Sequence, residues 1–341
     1  MTRTRSAGPI VGLAVAVLVG IVSTVAPMAA AASRSSAGGT TLPETACPAF
    51  PSDNVWNTPV TGLPVNKDSG AWLASMDARS TDLHPDYGPS GAKEPYGIPW
   101  QIVPAGQPLV HISFQYSSQS NPGPYPLSAS TPIEGGSDRH ALMVNPSTCF
   151  LYETWDTYYH PDGKSTAGSG AIWNLRSNTL RPAGWTSADA AGLPILPGLV
   201  NYTEVVSGAM DHAIRFTAQC TQKAYIWPAR HEAGQDDPSC PPMGARFRLN
   251  AGFSLPASAC SSMCQTVLRT MKTYGLILAD NGSNWYFQGT ADKRWTDEEV
   301  DQLKQIPAAE FVAVNESCLM VSAGSGLALQ PGSAAYEKSC G

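Results

Sequence analysis

Residues 141–155 read ALMVNPSTCFLYETW, an apolar run, a turn at Asn145-Pro146-Ser147 and a second run from Phe150 to Trp155. Two β-prone stretches of strand length around an Asn-Pro turn predict a hairpin. Alternation along the second run puts Leu151, Glu153 and Trp155 on one face, with Tyr152 and Thr154 on the other. Outward from this hairpin the pattern repeats. Short apolar bursts at 98–103, 109–114, 171–175, 200–206, 213–217, 224–227 and 245–249 are separated by Gly, Pro and Asn and predict further strands. Residues 276–279 and 285–288 predict a last hairpin around Asp280-Asn-Gly-Ser283.

Helices are few. A short one is expected within 66–78. A second carries Met263, Val267, Leu268 and Met271, with Gly275 as its stop. A third opens on the capping box Thr296-Asp-Glu-Glu299 and ends at Pro307. Many short strands with two or three short helices indicate a mostly β fold, a sandwich or a distorted, jelly-roll-like barrel. The phosphate-binding glycine loops, GxSxG and HExxH are absent from the sequence, which removes the strongest motif arguments for a nucleotide enzyme, an α/β-hydrolase or a common metalloprotease.

Composition agrees with a folded, turn-rich chain. Of 341 residues, 43% are hydrophobic and only 14% charged, against the ~25% of an average domain, with Gly 31 and Pro 29. Net charge is −6, which argues against a nucleic-acid partner. Arg3 and Arg5 precede an apolar run, and small residues at 29–32 offer a cleavage site, so 1–32 is expected to be a signal peptide. The mature protein is then expected to be secreted, monomeric and without membrane contact. Residues 33–46 are expected to be a flexible linker, 47–315 one β-rich domain and 316–341 a disulfide-closed tail. Eight cysteines, an even number in an exported chain, predict Cys47–Cys149, Cys220–Cys240, Cys260–Cys264 and Cys318–Cys340. Cys260 and Cys264 have ligand-like spacing, but no second such pair accompanies them, and neither metal nor cofactor is expected.

The segments WTSADAAGLPILPGL (185–199), DHAIRF (211–216), AYIWPARH (224–231), PPMGARFRL (241–249) and YGLILADNGSNWY (274–286) together resemble a group of secreted bacterial proteins. The likeness covers most of 135–314 and implies one domain there; it carries no activity and assigns no catalytic residue.

Candidate chemistry comes from three clusters. Asp138-Arg139-His140 and Glu153 fall near one end of the 141–155 hairpin, and Glu153 in an apolar sheet suits a general acid. Asp189, in the first turn of a short helix capped by Thr186 or Ser187, suits a base or nucleophile. His212 lies on an alternating strand. With Tyr152, Trp155, Trp185 and Trp285 as stacking surfaces, these residues suggest a glycan or polysaccharide ligand. The expected function is a glycoside hydrolase with Glu153 as acid and Asp189 as its partner. A non-catalytic polysaccharide-binding or envelope protein is the alternative. A polysaccharide lyase, with Arg139 neutralising a uronate and His140 or Tyr152 removing the proton, is a further one.

Overall fold

The 141–155 hairpin forms as the sequence predicts. The computed structural model describes residues 8, 41–89 and 95–340; the expected signal peptide, residue 8 apart, and residues 33–40 of the expected linker lie outside them. Strand β4 (Ala141–Asn145) pairs antiparallel with β5 (Phe150–Trp155), setting Leu142 opposite Glu153. Cys149, at a φ of 55°, closes the turn by donating its N–H to the Asn145 carbonyl. On its outer edges the hairpin pairs with β2 (Trp100–Ile102) and β7 (Ser169–Asn174), making a sheet in the order β2-β4-β5-β7.

A second sheet of six strands runs in the order β1 (His84–Asp86), β13 (Tyr286–Gln288), β8 (Ile214–Ala218), β12 (Leu276–Asn281), β11 (Arg246–Leu249) and β14 (Phe311–Val314). Two small pairs complete the β structure: β3 (Ser113–Phe114) with β6 (Thr166–Ala167), and β9 (Gln222–Tyr225) with β10 (Pro242–Met243).

Side-chain alternation in the four-stranded sheet divides the interior in two. Leu142, Val144, Leu151, Ala171 and Trp173 join the main core with Phe216, Phe247 and Phe287 of the larger sheet. Ala141 and Met143, with half-buried Tyr152 and Ile172, face a second core of Val103, Ile112, Tyr125 and Leu127. The fold is therefore mostly β, built from layered sheets with no closed barrel among the described residues.

Three helices form where the sequence marks them: α1 (Ser69–Ser75), α3 (Ser262–Thr273) and α4 (Asp297–Leu303), the last with both arms of its capping box made. Four local expectations are corrected. Residues 200–206 are not a strand: Asn201 accepts the Thr203 N–H and starts helix α2 (Tyr202–Ser207), which Gly208 ends at a φ of 74°. Capping at both ends outweighs the strand preference of Val205-Val206. Helix α5 (Ala334–Cys340) stands where a loop was expected. Residues 186–192 make turns rather than a helix. Finally, β12 and β13 do not pair with each other, because β8 lies between them, parallel to β12 and antiparallel to β13. Thr217 of β8 holds the connection by donating its hydroxyl to the Ser283 carbonyl at 2.8 Å. A Cβ at Gly282 would come within 2.7 Å of that hydroxyl, so the crossing needs glycine there.

All four expected disulfides are present, Cys47–Cys149, Cys220–Cys240, Cys260–Cys264 and Cys318–Cys340. No described helix is long and apolar enough to cross a membrane.

Candidate functional site

A pocket of about 410 Å³ opens between the ends of the two sheets, within the ~300–1,000 Å³ usual for small-molecule sites. The four-stranded sheet and its flanking loops supply Asp138, Trp155 and Ser169; the six-stranded sheet supplies Asp280 and Asn281; the 186–190 turn forms the wall between them. Trp155 lies across the backbone of Gly168, where a Cβ would meet the indole at 2.1 Å, and its ring is 6.3 Å from that of exposed Tyr116. Arg139 and Asp156, beside pocket-lining Asp138 and Trp155, have φ of 49° and 51°, left-handed values that non-glycine residues adopt at a cost.

Behind this wall sits a buried charge cluster. Asp189 Oδ2 accepts from Arg215 Nε at 3.0 Å and from Nη2 at 2.8 Å, and its Oδ1 accepts the Ala191 N–H. The same Arg215 Nη2 lies 3.8 Å from Asp280 Oδ2, and Nη1 donates to Gln288 at 2.8 Å. Two carboxylates thus share one guanidinium, and the Oδ2 atoms can be no farther apart than those two distances laid end to end. Burial pushes the Asp189 carboxyl up to about 7, with Arg215 opposing and the Asp280 charge adding to the rise. Burial also raises Asp280, against Arg215, His140 and the N–H groups of Asn281 and Ala190. The two acids differ in access: the Asp189 side chain is sealed, whereas that of Asp280 is 26% exposed.

The wall is held from several sides. Arg181 Nε donates to the Thr186 carbonyl, Gln119 accepts the Thr186 N–H, and Ser169 donates to the Ser187 carbonyl. His140 is part of this bracing and is not a free base. Its Nδ1 meets Glu134 and its Nε2 meets the Ala188 carbonyl at 3.1 Å, so both ring nitrogens are engaged. Burial alone would lower its pKa; the hydrogen bond and charge of Glu134 carry it above the usual histidine value.

The other expected site residues are dispersed. Glu153 is fully buried and does not line the pocket; it accepts from Trp173 Nε1 at 2.8 Å and from the Ile195 and Leu196 N–H groups at 3.0 and 2.9 Å. Burial raises its carboxyl against these donors, which fix the 195–198 turn, and its place in the interior puts it out of reach of a ligand in the pocket. Arg139 donates to the Thr157 carbonyl and stacks on Tyr158, with its guanidinium carbon 4.3 Å from the ring centre. Tyr152 faces the second core beside Tyr125. Trp185 stacks with Arg181 outside the pocket lining. His212 is enclosed between Glu204 and the Ala213 carbonyl. Trp285 is wholly buried against Phe216, its indole N–H donating to Met76. Of the expected residues, Asp189 and Trp155 reach the pocket.

Asp138, a member of the first cluster with no role assigned to it, also lines the pocket, as does Asp280, which the sequence does not single out. Asp280 stands in the quoted LADNGSNW segment, where turn propensity offered a complete account of it. Asp138 precedes the strand, where alternation says nothing about the direction of a side chain. Among the described residues, the one group with metal-like spacing is Cys220, Asp237 and Cys240, whose two sulfurs are joined to each other.

The fold and pocket define a cystine-braced, mostly β protein with an acidic, aromatic-rimmed cleft. No family model, no curated protein and no solved structure matches the chain.

Proposed function

We propose that this is a secreted carbohydrate-active enzyme that hydrolyses a glycosidic bond in the pocket between its sheets. The observation that carries the reading is the position of Asp280, a partly exposed carboxyl raised by burial, in a cleft rimmed by Trp155 and Tyr116. Sugar rings present C–H faces that stack on such aromatics. Asp280 donates the proton to the leaving oxygen, which needs a carboxyl kept protonated toward neutral pH. Asp138, from the other sheet's side, supplies the second carboxylate that such a hydrolysis requires. The Asp189–Arg215 pair holds Asp280 in place and touches no substrate. Four disulfides and the expected leader support an extracellular setting.

The pocket lining contains no Lys or Arg, and Arg139 is engaged with Thr157 and Tyr158. A uronate would find neither Lys nor Arg among the described lining residues, only His231, which favours a neutral glycan and hydrolysis over lyase chemistry. Non-catalytic glycan binding is the second reading, favoured by the completed hydrogen bonds of Glu153 and Asp189.

The test is a panel of neutral polysaccharides assayed for released reducing ends with wild type, Asp280→Asn and Asp138→Asn. Activity lost by at least a hundredfold in Asp280→Asn, with glycan retention intact, supports hydrolysis. Retention without released ends, equal in all three proteins, supports the binding reading instead.

A further inference from the structure

A second depression, about 880 Å³ in volume, lies beside the pocket. Its lining is largely apolar: half-buried Tyr225 and Trp227, exposed Val65 and Met320, and Trp72. Trp227 is held in place by donating its indole N–H to the Ser325 carbonyl at 2.8 Å. Glu316 also lines the groove. It is 3% exposed, its Oε2 pairs with Arg246 Nη1 at 3.1 Å, and its Oε1 has no hydrogen-bond partner. A buried acceptor left open is costly.

The groove and the pocket are separated by a single ridge of backbone. Arg230 lines the groove and the next residue, His231, lines the pocket; both N–H groups donate to the Ala191 carbonyl, at 2.8 and 3.1 Å. On the facing segment, Ala183 lines the groove and Thr186 the pocket. The ridge is fixed, since the Gly184 N–H donates to the Arg230 carbonyl at 2.6 Å and Arg230 Nε donates to that of Arg181 at 2.7 Å.

We propose that the groove binds further sugar units of the same neutral glycan whose bond lies in the pocket, so that the substrate is a polymer spanning the ridge. The inference rests on the reading of the pocket given above. Aromatic residues supply stacking faces, and continuity across one ridge lets a single extended chain reach both.

The experiment compares wild type, Tyr225→Ala, Met320→Glu and Asp280→Asn on cellulose, chitin and β-1,3-glucan and on the matching trisaccharides. Released ends and retention on the insoluble polymer are both measured, with thermal melting as the folding control. The expected result is a KM on polymer about two- to tenfold higher in Tyr225→Ala, the loss of one stacking contact, and a rise in the same direction in Met320→Glu, which puts a charge on the apolar rim, with trisaccharide turnover unchanged in both. Met320→Glu, at an exposed rim, keeps the test open if Tyr225→Ala does not fold. Groove variants that match wild type on polymer, or that lose trisaccharide turnover equally, overturn the inference while leaving the hydrolase reading intact. Wild type that releases no ends but is retained on polymer through Tyr225 and Met320 overturns hydrolysis and keeps the groove as a glycan site. No retention and no released ends overturns both.

Discussion

Replacing Asp189 by Asn should destabilise the protein far more than the same change at Asp280, although both carboxylates touch one arginine. Asp189 is sealed and takes two hydrogen bonds from Arg215, whose side chain is 3% exposed. Its neutralisation leaves a buried guanidinium with Gln288 at 2.8 Å and Asp280 at 3.8 Å as remaining polar partners. Breaking a buried ion pair from one side costs about 3–5 kcal/mol. The residual attraction of Asp280 brings this to about 2–4 kcal/mol. In a domain this large, each kcal/mol moves Tm by about 2 °C, so Asp189→Asn should melt roughly 4–8 °C below wild type. Asp280→Asn, at a partly solvated and longer contact, should cost about 1 kcal/mol or less. Urea titration measures both, and an unchanged m-value confirms that native stability is what moved. Asp189→Asn melting within about 1 °C of wild type, or Asp280→Asn proving the worse of the two, would refute the assignment of Asp189 as the structural anchor.

Glu316 gives a pH dependence with a definite sign. Burial pushes it up to about 7, against Arg246, so the folded chain holds this proton to higher pH than the unfolded chain, whose Glu titrates near ~4.3. Its contribution is present below the unfolded value and lost as pH rises toward 7; Glu316→Gln should flatten that part of a melting-temperature series. His140, also raised, chiefly through Glu134 against burial, adds a loss of stability as pH rises above the usual histidine value, and Glu134→Gln should remove that part. Cys47–Cys149 closes a separation of 102 residues and Cys260–Cys264 one of 4. Loop entropy makes the first worth about 4–5 kcal/mol and the second much less, so paired Cys→Ala variants should differ by several kcal/mol in urea. Trp285→Ala, emptying a fully buried site, should cost about 3–5 kcal/mol. Trp155→Ala, half-buried at the pocket, should cost less stability than Trp285→Ala while weakening glycan retention.

What the linear chain determined was local. The 141–155 hairpin, the alternation that splits its faces between two cores, the capping box of α4, the glycine stop of α3 and the three cystine pairs other than Cys47–Cys149 follow from neighbours in sequence, because backbone geometry and loop closure act over short separations. What only the tertiary structure decided was non-local. β8 enters between β12 and β13 from some sixty residues upstream, and no pattern within 276–288 announces it. The same holds for the chemistry. Alternation correctly turned Glu153 inward, but whether inward meant a cleft or a sealed interior depended on Ile195 and Leu196 arriving to donate their N–H groups. Asp280 became the exposed acid because Arg215 and the 186–190 turn pack against one side of it and leave the other open. Burial and charge pairing are properties of assembled neighbours, so a side chain's protonation and reach are fixed only when the sheets meet.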